Sequence, residues 1–261
     1  MKQFKIRASK SGELMTGTIG LTEIQEAELE MLTSKPKRTD KQEAKMAELI
    51  AKKQGSELPK TLRTMCEDWV KAQLKKPKRI YSKYLEKGNV MEESSIESIA
   101  EHLELGMVIK NEEYFEDDYF TGTPDLLLRD IIIDAKNSWS LKTFPLFSDT
   151  IPDIGYMYQV QVYMHLTGRK TAKVAYFLSN TPENLIEREA RMYCNALGFD
   201  EVSPEILSAF TDEMTYDEFP SSYRIKHYSF EYDPLIIEEL KHRVVLCREY
   251  IEELKNKLKI E

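Results

Sequence analysis

The sequence predicts an α/β (α+β) fold: a small central mixed β-sheet flanked by helices, with a helical N-terminal region and a long C-terminal helix. Three observations predict it. Apolar residues recur at helical spacing through the N-terminal third. The texture then changes to short strand-like runs between residues 107 and 136. A helix, a strand and mixed elements follow, and a heptad-spaced stripe runs to the C-terminus.

Taken in order, residues 21–32 and 40–54 read as helices separated by the polar stretch Thr33–Asp40. Leu62, Met65, Cys66, Trp69, Val70 and Leu74 put an amphipathic helix over 60–75, and Pro77 ends it or bends the chain. Ile96, Ile99, Ala100 and Leu103 mark a helix starting near Glu92, with Gly106 as its stop. Met107–Lys110, Tyr114–Thr121, Asp125–Leu128 and Ile131–Ala135 read as strands, the last two joined by a tight turn at Arg129-Asp130. Helix returns at 155–167, a strand at Thr171–Leu178, helices at 182–196 and 203–214, and a strand at Ser222–Tyr232. The closing helix, 234–259, carries Ile237, Leu240, Val244, Cys247, Ile251, Leu254 and Leu258 at alternating spacing of three and four. Such a stripe packs on its own domain or makes a subunit contact. The organisation expected is a basic helical region over 1–87, a core over 88–180, and helices and a strand over 181–261 that complete the same domain.

At 261 residues the chain can bury a sizeable core. No apolar run approaches transmembrane length and the N-terminus has no signal-like apolar segment, so a cytoplasmic location without membrane contact is the expectation. Cys66, Cys194 and Cys247 are odd in number and widely spaced, which predicts half-buried free thiols rather than disulfides, zinc or an iron–sulfur cluster. The net charge of −8 hides an asymmetry: residues 1–90 carry +8 and the rest −16. Phosphate affinity depends on local basic surface, and the densest cluster is Lys71, Lys75, Lys76, Lys78, Arg79, Lys83 and Lys87, interleaved with Tyr81 and Tyr84. It reads either as a solvated face or as a nucleic-acid contact.

The chemistry concentrates in Gly122-Thr-Pro-Asp125, Asp134-Ala-Lys136 and Gln159…Tyr163. Asp125 and Asp134 on adjacent strands place two hard oxygen donors together, which suits Mg²⁺ or Mn²⁺. Ile131-Ile132-Ile133 is a buried-strand run that stops at Asp134, and a charge there must be solvated, paired or metal-bound. Lys136, two residues on, shares Asp134's face. It is suited to orient a metal-bound water and stabilise charge at phosphorus, with a pKa lowered by neighbouring positive charge. Pro124 fixes the backbone before Asp125, and Gly122 allows close approach. Gln159 and Tyr163 stand on one helix face at i,i+4. Ser138 and Asn137 follow the strand as possible phosphate donors, and Trp139 either packs or stacks on a base. His102, His165, His227 and His242 are isolated and read as structural.

Pro124-Asp125, eight intervening residues and Asp134-Ala135-Lys136 resemble the core pattern of the PD-(D/E)xK nuclease superfamily. Pro152-Asp153 repeats the first dipeptide without the strand and Asp/Glu-x-Lys that should follow, and Asp153 reads as a helix cap. Gln159-Val-Gln-Val-Tyr163 is similar to the Gln-x-x-x-Tyr helix of RecB-like and lambda-exonuclease-like members. Gly88-Asn-Val-Met-Glu92, taken to open a helix, resembles the Gly-x-x-x-Glu of the lambda-exonuclease-type (YqaJ-like) branch, with Glu93 as the alternative acid. Arg7-Ala8-Ser9 is loosely similar to a segment lining the DNA-end pocket in that branch. The resemblance implies a restriction-endonuclease-like core and a metal-dependent exonuclease acting on linear duplex DNA from the 5′ end. Glu92, Asp125, Asp134 and the Ala135 carbonyl would hold one or two Mg²⁺ ions, with Mn²⁺ as a substitute. Lys136 would position the nucleophile, Gln159 and Tyr163 the DNA backbone, and Ser9, Arg79, Lys83 and Ser138 would contact DNA. It further implies a phage or bacterial recombination setting, with a single-strand annealing protein as partner and a homo-oligomer as one assembly. An endonuclease, a CRISPR-type RecB-like nuclease and a non-catalytic DNA-end-binding adaptor are the rival readings.

Overall fold

The computed structural model describes residues 2–17, 20–21, 23–53, 58–76 and 82–259. Pro77 and Arg79 lie outside them. The elements in chain order are β1 (Ile6–Arg7), α1 (Ser11–Leu14), α2 (Glu23–Ser34), α3 (Asp40–Lys53), α4 (Lys60–Leu74), α5 (Lys83–His102), β2 (Phe115–Glu116), β3 (Phe120–Gly122), β4 (Leu126–Leu127), β5 (Ile131–Asn137), α6 (Ile154–Thr167), β6 (Thr171–Phe177), α7 (Glu183–Ala196), α8 (Pro204–Met214), β7 (Ile225–Glu231) and α9 (Pro234–Leu258). The chain forms two compact units. One comprises Met1–Ile6, Lys10–Pro77 and Glu238–Glu261, the other Arg7–Ser9 and Lys78–Ile237.

The first unit is helical. Leu29 and Leu32 of α2 meet Leu49 of α3, with Leu21 and Met46 alongside. Leu62, Cys66 and Val70, at i, i+4, i+8, are the buried stripe of α4. In α9 the heptad stripe is buried from Leu240 to Ile251 and emerges at Leu258, so it packs within its own chain. The Cys66 thiol lies 3.8 Å from the Cys247 carbonyl. All three cysteines are free and fully buried, more deeply than the sequence suggested. The buried Arg243 donates from Nη1 to the carbonyls of Leu14 (3.2 Å) and Gly17 (3.1 Å) and from Nε to Glu239 (2.7 Å).

The second unit is built on a four-stranded mixed sheet of order β4-β5-β6-β7. β5 and β6 are parallel, joined through α6, and the outer pairs are antiparallel. A three-stranded sheet, order β1-β3-β2, stands beside it in sequence. Strand pleat assigns the faces of β5. Ile133 joins Ile96 and Ile99 of α5, Leu126, Ala175, Phe177 and Ile225 in one core cluster, and Asn137 accepts from Ser95 of α5 at 2.7 Å. Asp134 and Lys136 therefore face the opposite way, toward α6.

Three sequence expectations are corrected. α5 begins at Lys83, so Glu92 lies in mid-helix rather than in a first turn. The buried face of α5 starts with Lys87, which a search for apolar periodicity passes over. Met107–Lys110 forms no strand; beyond it Asn111 N–H donates to the Asp125 carbonyl at 2.8 Å. Tyr114–Thr121 is two strands, because Asp117 Oδ1 accepts the N–H groups of Tyr119 (2.8 Å) and Phe120 (2.6 Å) and turns the chain. Among the described residues no helix is long and apolar enough to cross a membrane.

Candidate active site

Asp134 ends the apolar run of β5 and is 1% exposed. Its Oδ1 accepts from Gln159 Nε2 at 3.0 Å, and the same amide donates to the Tyr163 hydroxyl at 3.1 Å. Its Oδ2 lies 2.7 Å from Lys136 Nζ but accepts no well-directed hydrogen bond. The i,i+4 spacing thus brings Gln159 and Tyr163 to Asp134 rather than to open solvent, and both are buried. α6 is held for this by its ends. Asp153 caps it, accepting from Gly155 N–H at 2.8 Å, and Gly168 closes it at φ 75°. The second Pro-Asp dipeptide is therefore a helix start, as its context implied.

Asp125 follows Pro124 at the entrance to β4. Its Oδ2 accepts Ala135 N–H at 2.7 Å. N–H and C=O of one residue in an extended strand project to the same side, so the Ala135 carbonyl also looks past the end of β4 toward Asp125. Gly122 has a steric reason: a Cβ there would meet Tyr163 Cε1 at 2.6 Å and Ala8 Cβ at 3.1 Å.

The electrostatics are those of two carboxylates crowded out of water. Burial, then the Asp134 charge, raise Asp125 from 3.8 to about 7, against the smaller pull of Lys136 and the Ala135 N–H. Burial works against the Lys136 ammonium, but Asp134 and Asp125 outweigh it and its pKa is raised. With Asp134 and Asp125 as its neighbours, Lys136 is held as an ammonium. Burial, then Asp134, raise the Tyr163 phenol.

Two site residues were not found from sequence. Tyr156 places its ring 4.6 Å from Lys136 Nζ; it shares the 156/159/163 face of α6, and that spacing was the available signal. Lys110 pairs with Glu92 Oε2 at 2.6 Å, and nothing in its local sequence marked it. Glu92 is thus turned to Lys110, and among the described residues no three His, Cys, Asp or Glu side chains form a metal cluster. Glu92 still adds to the field raising Asp125.

The expected DNA contacts differ in setting. Ser9 is exposed, in a 3₁₀ turn over Ala8–Lys10. Lys83 is spent on an ion pair with Glu189 and lies 4.9 Å from the Trp139 ring. Ser138 is buried, its N–H on the Phe177 carbonyl (2.9 Å) and its hydroxyl without a hydrogen-bond partner. Nearby, Lys87 is 1% exposed and donates to the carbonyls of Trp139 (3.0 Å) and Ser179 (2.9 Å). Burial, then Arg224, lower its pKa to about 8.

No protein-family model and no curated protein sequence matches the chain. Solved structures do. The chain is similar to a phage related exonuclease from Haemophilus somnus 129PT, at 24% identity, 98% of this chain, 97% of that one and a TM-score of 0.68. It is also similar to an alkaline exonuclease (LHK-Exo) from Laribacter hongkongensis, at 16% identity, 98% of this chain, 93% of that one and a TM-score of 0.56. A structure of LHK-Exo in complex with dAMP aligns over the same shares at 0.53. The scaffold that brings Asp125, Asp134, Lys136 and Gln159 together is thus the fold of phage-related and alkaline exonucleases.

Proposed function

We propose that this protein is a metal-dependent exonuclease that hydrolyses phosphodiester bonds of linear double-stranded DNA. The observation that carries the reading is the Asp134 carboxylate, bound by Gln159 and Lys136 beside Asp125, in a fold shared with exonucleases.

The residues present fit a divalent cation. Asp134 Oδ2 is buried without a hydrogen bond, and Asp125 has been pushed to about 7 by burial and its neighbour's charge. A cation relieves both conditions, and carboxylate and carbonyl oxygens suit Mg²⁺ or Mn²⁺. Asp125, Asp134 and the Ala135 carbonyl would hold one or two ions, with Glu92 joining once it leaves Lys110. When bound, the ion supplies polarisation of the scissile phosphate, a more acidic water and charge for the leaving 3′-oxygen. The protein's own groups do the rest. Lys136, fully protonated and braced by the Tyr156 ring, orients the attacking water and offsets negative charge growing on the phosphoryl oxygens. Gln159 locks the Asp134 rotamer, which sets its second oxygen beside the Lys136 ammonium. Tyr163, packed against Gly122, fixes Gln159 in turn.

Digestion from the 5′ end, a role in phage or bacterial recombination, and hand-over of single strand to an annealing protein complete the proposal. They rest on the resemblance of Gly88…Glu92, Pro124-Asp125, Asp134-Ala135-Lys136 and Gln159…Tyr163 to the lambda-exonuclease-type branch. The test is digestion of end-labelled linear duplex, with and without a 5′ phosphate, beside covalently closed circles, in Mg²⁺ or Mn²⁺. Shortening of the linear duplex from its 5′ ends with circles spared is the expected result. Efficient cutting of circles makes the protein an endonuclease. No cutting of any DNA or RNA leaves a DNA-end-binding adaptor on a nuclease scaffold.

A further inference from the structure

The Lys110–Glu92 pair lies beside the carboxylates without belonging to the Asp134 network. The backbone next to Lys110 is anchored there: Asn111 N–H donates to the Asp125 carbonyl at 2.8 Å, and Asn111 Nδ2 to the Pro124 carbonyl at 3.0 Å. Lys110 is therefore held at the approach to Asp125 whether or not it pairs with Glu92. Its ammonium feels Glu92, Asp125 and Glu93 together. The two lysine–carboxylate pairs of the site differ in setting. Lys136 and Asp134 are 20% and 1% exposed, so that pair is enclosed. Lys110 and Glu92 are 36% and 32% exposed, so water can take up both charges when they part. One pair is enclosed by protein, and the other is bathed by water.

We propose that Lys110 is an internal competitor for the metal. Its ammonium occupies the cation position at Glu92 until a divalent ion displaces it, so Lys110 sets the metal affinity of the site. The proposal rests on the reading of this site as a metal-dependent nuclease centre. It makes Lys110 a positioning residue that acts through Glu92, and it explains why three acidic side chains do not converge while that pair is closed.

The test is Mn²⁺ binding to the full chain without DNA, by calorimetry or electron paramagnetic resonance. Lys110→Met is expected to bind Mn²⁺ about two- to fivefold more tightly than wild type, the scale of losing one partly exposed ion-pair competitor. Lys110→Arg keeps wild-type affinity. In a Glu92→Gln background the Lys110→Met gain disappears. Lys110→Gln serves as the second variant, and thermal melts confirm that each protein is folded. Equal or weaker Mn²⁺ binding by both folded Lys110→Met and Lys110→Gln, with wild-type binding intact, overturns the competitor role and leaves the nuclease reading standing. Wild-type protein that binds no Mn²⁺, or binds it unchanged after Asp134→Asn, overturns both.

Discussion

At the scale of single residues, Asp134 and Asp125 share a cramped site but are treated differently. Asp134 has an amide and an ammonium against its two oxygens, whereas Asp125 has one backbone N–H. Lys136→Met is expected to lower any metal-supported phosphodiester cleavage by roughly 10²–10³-fold, the usual effect of removing a preorganised charge-stabilising group. Near-UV circular dichroism should show the fold retained. Asp125 also links stability to pH. Its folded pKa, about 7, lies above its ordinary 3.8. The folded state therefore holds this proton more tightly, and the stability that gives is complete below pH ~4 and lost as pH rises through about 7. Metal-free Asp125→Asn should show a flatter stability curve over that window than wild type, measured by denaturant midpoints. An identical slope in the two proteins removes the assignment. The meeting of Asp125, Asp134, Lys136 and Gln159 was legible in sequence because several short spacings, each ambiguous alone, agree with one sheet-and-helix arrangement. Lys110 was not, because its position depends on Asn111 reaching Pro124 and Asp125 across the chain.

At the scale of elements, β5 divides its labour by pleat: alternate residues build the core against α5 and the chemistry against α6. α6 is buried on every side over Gln159–Met164, so its caps rather than an amphipathic stripe define its ends. β3 and α6 meet closely at Gly122 and Tyr163. Gly122→Ala places a methyl where the Tyr163 ring stands, 2.6 Å from Cε1, and its φ is not the obstacle. We expect about 1–3 kcal/mol of destabilisation from such overpacking, read by chemical denaturation. A weaker Gln159–Asp134 contact should accompany it, read as reduced Mn²⁺ affinity. The helices and long strands were recovered nearly to their ends from periodicity. The start of α5 was missed because a buried lysine stem opens its inner face, and the β2–β3 hairpin because the turn is made by the Asp117 side chain rather than by glycine or proline.

At the scale of the whole molecule, the chain contributes its N-terminal helices and most of α9 to one unit and the Asp125, Asp134 and Lys136 cluster to the other. The first unit has its own polar keystone. Arg243→Met leaves the Leu14 and Gly17 carbonyls without their donor. It should cost roughly 2–4 kcal/mol, measured by hydrogen exchange at α4 and α9. An unchanged exchange rate there makes Arg243 a bystander. The second unit has a different keystone in Lys87. With its pKa lowered to about 8, this amine carries a larger neutral fraction near pH 7 than an ordinary lysine, yet 1% exposure keeps acylating reagents from it. Its labelling is therefore gated by the parting of α5 from the ends of β5 and β6. The rate at which that one amine is acylated becomes a clock for how often α5 parts from the sheet that carries Asp134.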